Sequence, residues 1–389
     1  MAGLMIRSRP VLSLAAAGLI VLSHLPACAQ SQRSSVSQSL TYLSWKMTGK
    51  RSTDTTQTVS QWFAPLFVKV RLAQGWGLAL YSAASRSTVD HAGNPDITGL
   101  NDSKIQLTHT TADERILLSA GASLPTGQTK LPAAKRDLIP WMSADFFNFP
   151  VKIPGEGLEL FGEAGVAVPA SGWVLGAAGA INYFEKYTPY DDNLEYQPGM
   201  RVVGTAGIGR DWSNRGHVGL DVLVIYSTDD KVEGSPVFGD GLQLDLRLVA
   251  RRDFVKGGVE AMARFIQRGK NRRKGGQSSL DLISEQRNTN GNDLRFRCSA
   301  RHALIGKLQG WASFDTKMLM ANGYAIEDPL YENASRIYGA GAGLDLGLGQ
   351  HSAFGVGARL WKGSSDGSYR REPLDLSGIE IIQRLTIGL

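Results

Sequence analysis

The chain has 389 residues, 20% of them charged, with a formal net charge of +6. That balance is too mild to argue for a nucleic-acid partner, and none is expected. Mean hydropathy is −0.14, which excludes nothing about membranes, because alternating lipid-facing and lumen-facing residues cancel in the average. The 45 glycines show no collagen-like triplet period, so they need another explanation.

In chain order, the first element is an export signal. Arg7 and Arg9 precede an apolar run from Val11 to Leu22, and Ala27-Cys28-Ala29 supplies the small residues of a cleavage site. The run is too short to span a bilayer, so residues 1–29 read as a cleaved signal peptide and 30–389 as the mature domain. Acylation of Cys28 is the alternative, with Pro26 badly placed for it. Cleavage after Ala29 removes two positive charges and leaves Cys298 alone. No internal disulfide is then possible.

No later segment has eighteen consecutive apolar residues. What recurs is alternation with a period of two, which a strand produces and a helix cannot. Leu242, Leu244, Leu246, Leu248 and Ala250 oppose Gln243, Asp245, Arg247, Val249 and Arg251; Leu294, Phe296, Cys298 and Ala300 oppose Arg295, Arg297, Ser299 and Arg301. Sixteen such segments are expected: 36–48, 56–70, 74–85, 103–111, 114–124, 157–168, 171–183, 201–210, 216–228, 241–252, 255–268, 292–303, 305–317, 334–346, 351–363 and 376–389. Twelve or fourteen are also compatible with the pattern. Most have the length of a tilted membrane strand.

The connections sort themselves into two kinds. Tight turns near 112, 171, 211–216, 253, 303 and 348–350 alternate with long loops at 86–102, 125–156, 184–200, 229–240, 269–291, 318–333 and 364–375. Short periplasmic turns and long outer loops are the habit of a closed antiparallel outer-membrane barrel. The expected fold is therefore an all-β, closed transmembrane barrel in the bacterial outer membrane. Within its longest loop, Pro132–Phe147 reads as a helical insert that either narrows the mouth or packs on neighbouring loops. Trp76, Trp173 and Trp212 fall near short turns, and Tyr183, Tyr226 and Trp361 near long ones, where membrane-interface aromatics belong. The last strand carries an apolar face of Ile379, Ile381, Leu385 and Ile387 up to Leu389, which suits recognition by barrel-assembly machinery.

If the apolar face meets lipid, the opposite face lines the lumen. That face carries Glu159, Glu163, Asp221, Asp245, Arg247, Arg251, Glu260, Arg264, Arg295, Arg297, Arg301, Asp315, Asp345 and Arg359. An Arg or Lys in hydrocarbon costs ~2–4 kcal/mol at mid-depth, so these belong inside. Arg251, Arg264, Arg295, Arg297 and Arg301 come from three successive strands and form either a basic wall guiding anions or a set of ion pairs with carboxylates such as Asp245 and Glu260.

Other chemistry finds little support. Gly339, Gly341, Gly343, Gly355 and Gly357 belong to no strand–Gly-rich loop–helix unit, so no nucleotide cofactor is expected; as inward residues they let the pore stay open or the wall bend. Gly363–Gly367 matches Gly-x-Ser-x-Gly around Ser365, but opens a polar loop rather than a helix. No His-Glu-x-x-His motif occurs, and no metal or catalytic residue is assigned. The basic run Arg268–Lys274 reads as a solvated loop, with lipopolysaccharide phosphates as the alternative ligand.

Gly99-Leu100-Asn101-Asp102, Leu124-Pro125-Thr126-Gly127 and Phe149–Leu160 resemble segments of the outer-membrane transporters associated with the meta-pathway of phenol degradation, distant relatives of long-chain fatty-acid channels. The resemblance covers residues 99–170 and implies a monomeric barrel passing hydrophobic or aromatic small molecules. The Asn-Pro-Ala start of the fatty-acid channels is not found at 30–40. The expectation is a passive channel for small hydrophobic, aromatic or anionic molecules, with outer-membrane lipids and small solutes as partners. A surface-exposed outer-membrane hydrolase and a structural barrel without transport are the alternatives.

Overall fold

The computed structural model describes residues 34–50, 56–90, 95–191, 193–212, 215–274, 281–367 and 372–389. The signal peptide, Cys28 and His91 lie outside these residues. In chain order the strands are β1 (Ser35–Gly49), β2 (Thr56–Ala73), β3 (Trp76–Asp90), β4 (Asp96–Leu100), β5 (Ser103–Thr110), β6 (Ile116–Leu124), β7 (Glu159–Ala170), β8 (Trp173–Phe184), β9 (Tyr196–Gln197), β10 (Arg201–Trp212) and β11 (Gly216–Ser227). Then follow β12 (Asp230–Val232), β13 (Ser235–Gly239), β14 (Gln243–Phe254), β15 (Gly257–Arg268), β16 (Arg272–Lys274), β17 (Leu282–Ser284), β18 (Asp293–Ala303), β19 (Leu308–Leu319), β20 (Ser335–Gly347), β21 (Ala353–Ser365) and β22 (Leu374–Gly388).

Seventeen of these form one sheet. Because β4 and β5 both pair with β3, they make a single interrupted stave, and the barrel has sixteen. Closure is complete: β1 pairs antiparallel with β22 from Ser35↔Gly388 to Gly49↔Leu374. The barrel sheet has no free edge among the described residues, which is the condition for crossing a bilayer with strands. All sixteen expected segments are staves, because each carries a two-residue alternation that only this closure satisfies on both faces.

The outer face is apolar around the whole circumference. Leu80, Leu118, Val166, Leu248, Leu344 and Ile381 are all exposed, and they belong to different staves. Tight turns close one end. Between β7 and β8 a two-residue turn places Ser171 and Gly172 at φ 48° and 82°, the doubly left-handed geometry whose twist matches the flanking strands. At the other end β9, β12, β13, β16 and β17 form a separate five-stranded sheet built from the long loops.

The insert after β6 is not one helix. It comprises a 3-10 turn at Ala133–Leu138, a single α-helical turn, α1 (Ile139–Ser143), and a second 3-10 turn at Asp145–Phe147. Pro140 confines the α-helical segment by occupying its first turn, the one place a helix tolerates it. Its apolar residues Leu138, Met142, Phe146, Phe147, Phe149 and Val151 are buried in one cluster with Leu43, Trp45, Met47, Val59, Ile337 and Trp361.

Trp361 corrects an expectation. It is 5% exposed and lies inside against Trp45, with ring centroids 5.9 Å apart, rather than at the membrane interface. Its parity decided this: Trp361 pairs across from Gly378 and Gly339 on the inner face. Tyr183 and Tyr226 do face outward, each 48% exposed.

The inward glycines are likewise not empty space. A Cβ on Gly343 would sit 2.5 Å from the Trp311 ring, one on Gly357 2.2 Å from the same ring, and one on Gly339 2.5 Å from Trp361. Each tryptophan lies flat over glycines of the neighbouring staves, so the missing side chains make room for indoles.

Candidate functional site: the barrel interior

The insert identifies the inner face. It touches β1 where Trp45 Nε1 donates to the Phe147 carbonyl at 2.9 Å. On β2, Gln61 Nε2 donates to the Val151 carbonyl (2.8 Å) while Val151 N donates back to Gln61 Oε1 (2.9 Å). On β19, Lys317 Nζ donates to Asn148 Oδ1 at 3.4 Å. The shared cluster adds β3, β4, β20, β21 and β22 through Val89, Ile97, Ile337, Trp361 and Leu376. A segment in contact with half the circumference of a closed barrel lies within it.

Strand register carries that face around the wall. Ile337 pairs with Lys317, Asp315 with Arg297, Arg295 with Arg264, Arg264 with Arg247, and Arg247 with Asp221. Directly paired residues share a face. Asp245, Arg251, Glu260, Arg301, Asp345, Arg359, Glu159 and Glu163 follow by the same two-residue step on their own strands.

The arginines of the expected basic wall are all engaged with carboxylates. Arg247 meets Asp221 at 2.8 Å, Arg264 meets Asp245, and Arg295 meets Asp293. Arg251 and Arg301 converge on Asp253, at 2.9 and 2.8 Å. Arg297 and Arg359 share Asp315, and Arg359 reaches Glu380 at 2.7 Å. Arg384 closes on Asp345 at 2.7 Å. On the opposite side Lys104 meets Glu159 at 2.9 Å, and Asn182 donates to the same carboxylate. These pairs leave the wall close to neutral.

Reading the sequence missed Lys104, Arg201, Asp253, Asp293, Lys317, Glu380 and Arg384 on this face. For Asp253, Asp293 and Lys317 the signal was available, since they continue the parity of Arg251, Arg295 and Asp315 on the same strands; Asp253 was instead assigned to a turn, and on β5, β10 and β22 no inner residue had been named to extend. Gln61 was missed for another reason. Nothing in a strand's alternation tells that an amide will bond a loop ninety residues away.

The three stretches that carried the family resemblance meet at the base of the insert. Asp102, in the gap between β4 and β5, accepts from Gly127 N (2.9 Å) and Glu156 N (2.6 Å). Thr126 Oγ1 donates to the Asn101 carbonyl at 2.9 Å and accepts from Ser103 N at 2.9 Å. A Cβ on Gly127 would lie 2.2 Å from the Pro154 carbonyl, so only glycine fits. The interrupted stave thus ties together both ends of the loop that enters the barrel.

Ser365 is the last residue of β21, and its hydroxyl accepts from Ser335 Oγ at 2.9 Å. The strand-to-helix turn of a hydrolase elbow does not follow it through Gly367. Within the basic run, Arg272 meets Asp229 at 2.9 Å and Arg273 meets Glu285 at 2.6 Å; these partners occupy two of the cations that would have met phosphates.

A closed antiparallel barrel with an apolar exterior and a charged, loop-narrowed interior is an outer-membrane β-barrel. Among solved structures the chain is similar to OprB of Pseudomonas putida, at 9% identity over 91% of this chain and 94% of that one, with a TM-score of 0.49. OprD of Pseudomonas aeruginosa aligns at 8% identity over 92% and 94%, with a TM-score of 0.45. An anion-selective porin of Comamonas acidovorans aligns at 11% over 91% and 99%, with a TM-score of 0.43. No family model and no curated protein matches the chain. The class assignment rests on the geometry of the barrel itself.

Proposed function

We propose that the protein is a passive outer-membrane channel for small molecules. The carrying observation is that the inner wall remains reachable beneath the insert: the side chains of Arg297, Arg301 and Arg384 are 43%, 52% and 43% exposed. A plugged barrel buries such groups, whereas a bore leaves them wet. The residues named from the sequence, from Glu159 and Glu163 through Asp245, Arg264 and Arg297 to Asp345 and Arg359, are then pore-lining.

For the substrate we favour small aromatic or anionic molecules. Two features support this. The insert sets the partly buried Trp141 over the buried rings of Phe146, Phe147 and Phe149, and the segments resembling the phenol-degradation transporters are the ones that anchor it. Since the wall arginines are paired with carboxylates, anion preference is expected to be modest. Purified mature protein in planar bilayers should give discrete conductance steps, larger when residues 128–153 are removed. Absence of any steps from folded protein, judged by heat-dependent gel migration, defeats the proposal.

A further inference from the structure

On the outer face of the wall, at the long-loop end, direct strand pairing links Tyr338 to Lys362, Lys362 to Ser377, and Ser377 to Lys46, across β20, β21, β22 and β1. Lys362 and Lys46 each follow a buried, inward tryptophan, Trp361 and Trp45, so by alternation the row faces lipid. Lys46, Ser377 and Lys362 are all exposed. Neighbouring strands lie about 4.8 Å apart, so the two lysine backbones stand roughly 10 Å apart with Ser377 between them. Neither lysine has an ion pair or a hydrogen bond among the described residues. Three other cations of this rim are matched: Lys50 by Asp375 at 3.4 Å, Arg336 by Asp366 at 3.7 Å and Arg86 by Asp96 at 3.6 Å. The row's own carboxylate, Asp90, lies two staves beyond Lys46 on β3.

One step deeper the same staves turn apolar. Leu360 and Ile379 pair with each other on the outer face and are 64% and 36% exposed. A further step down, Tyr42 and Trp62 pair across β1 and β2, with ring centroids 4.6 Å apart. Two ammonium groups thus stand at the upper edge of the hydrocarbon-facing belt, and their methylene stems let the charge rise to headgroup level. The ligand that fits this edge has negative charge at the membrane surface and acyl chains beneath it. In the outer leaflet of an outer membrane, the phosphorylated diglucosamine of lipopolysaccharide has that form. We infer that Lys46 and Lys362 form a seat for one lipopolysaccharide phosphate, with the Ser377 hydroxyl donating between them and acyl chains lying on Leu360 and Ile379. The basic run Arg268–Lys274, which the sequence offered for this ligand, has Arg272 and Arg273 already engaged by carboxylates.

The seat does not depend on whether the barrel conducts. Binding of diphosphorylated lipid A, the diglucosamine anchor of lipopolysaccharide, to the mature barrel in detergent is read by native mass spectrometry. A basic residue at an anionic membrane surface contributes about fivefold. Lys46→Gln combined with Lys362→Gln should therefore weaken binding by about thirtyfold, while leaving binding of dephosphorylated lipid A with the same acyl chains unchanged. Ser377→Glu keeps both lysines but sets a carboxylate between them, and should cause a loss of similar size. Lys231→Gln combined with Lys270→Gln removes the same charge from the outer loops and should leave binding intact. Inorganic phosphate at the concentration of the lipid should not displace it, because the acyl chains supply the remaining contact. Heat-dependent gel migration checks that each variant is folded, as expected for exposed substitutions. Equal binding of the two lipids by wild type, an equal loss in the loop variant, or displacement by inorganic phosphate overturns the seat.

Discussion

Two halves of the inner wall use the same two-residue period for opposite ends. From β19 round through β22 to β4 the inner face adds aromatic rings to its ion pairs: Trp311, Trp361 and Trp45 lie over Gly343, Gly357, Gly339 and Gly378, the insert packs on this side, and Arg359 with Asp315 and Glu380, and Arg384 with Asp345, cross the same staves. From β10 to β18 it is crossed by arginine–carboxylate pairs, joined by Arg201 at its upper rim. The first side gives up part of its share of the bore to fix a loop, while the second carries no such insert. A barrel therefore does not need a uniform lining. Strand closure fixes only the face of each residue, and the chemistry on that face is free to differ around the circumference.

The comparison is tested most severely at Trp45. Its indole is fully buried, bonds the Phe147 carbonyl and meets the rings of Phe147 and Trp361. Truncating such a ring destabilises by about 3–5 kcal/mol. Trp45→Ala should lower the denaturation midpoint in detergent accordingly and raise single-channel conductance as the insert loosens. A loss below about 1 kcal/mol, the level of an ordinary substitution, would mean that the aromatic half does not hold the loop.

Much of this contrast was legible in the residues. Leu242–Arg251 and Leu294–Arg301 announce strands because each has one face for oil and one for water, and the same logic put Asp245 and Arg297 inside. Long and short connections fixed the two ends. What alternation cannot convey is which distant strand a face will meet. The position of Trp361 near a long loop suggested the membrane interface, yet its parity assigned it to the interior; proximity to a loop is a weaker signal than parity. The glycines posed the same problem. Gly343 and Gly357 suggest an open or bending wall until the pairing places Trp311 beside both.

The ion pairs of the wall are probed by an unequal pair of substitutions. Asp315 is 5% exposed and serves both Arg297 and Arg359, so Asp315→Asn strands Arg297 and leaves Arg359, 12% exposed, with Glu380 as its remaining carboxylate. Removing one partner of a buried pair costs about 3 kcal/mol or more, and the added positive charge should move the reversal potential in a salt gradient toward anions. Asp253 also serves two arginines, but its side chain is 33% exposed and Arg301 is 52% exposed. Asp253→Asn should therefore cost only about 0–1 kcal/mol, as for other solvated pairs. Equal losses at the two sites would show that depth in the wall does not govern these pairs.

The smallest effect is expected where the halves meet, at the base of the insert. Burial raises the Glu156 carboxyl above the ordinary carboxylate range, partly offset by Arg201 and Lys104 and reinforced by Glu159 and Asp102. A carboxyl whose affinity for a proton is higher in the folded loop than in the unfolded one stabilises the fold in its protonated form. That contribution is fully present below the unfolded value and is lost as pH rises through the folded value. Amide exchange across 153–158 should thus show better protection in mildly acidic solution than at neutrality, after correction for intrinsic exchange rates. Glu156→Gln removes the titrating group and should flatten this dependence, holding the loop base in one protection state across the range. If the substituted protein keeps the same acid-strengthened protection, another carboxyl at the interrupted stave governs the anchor, and Glu156 is held only through its backbone.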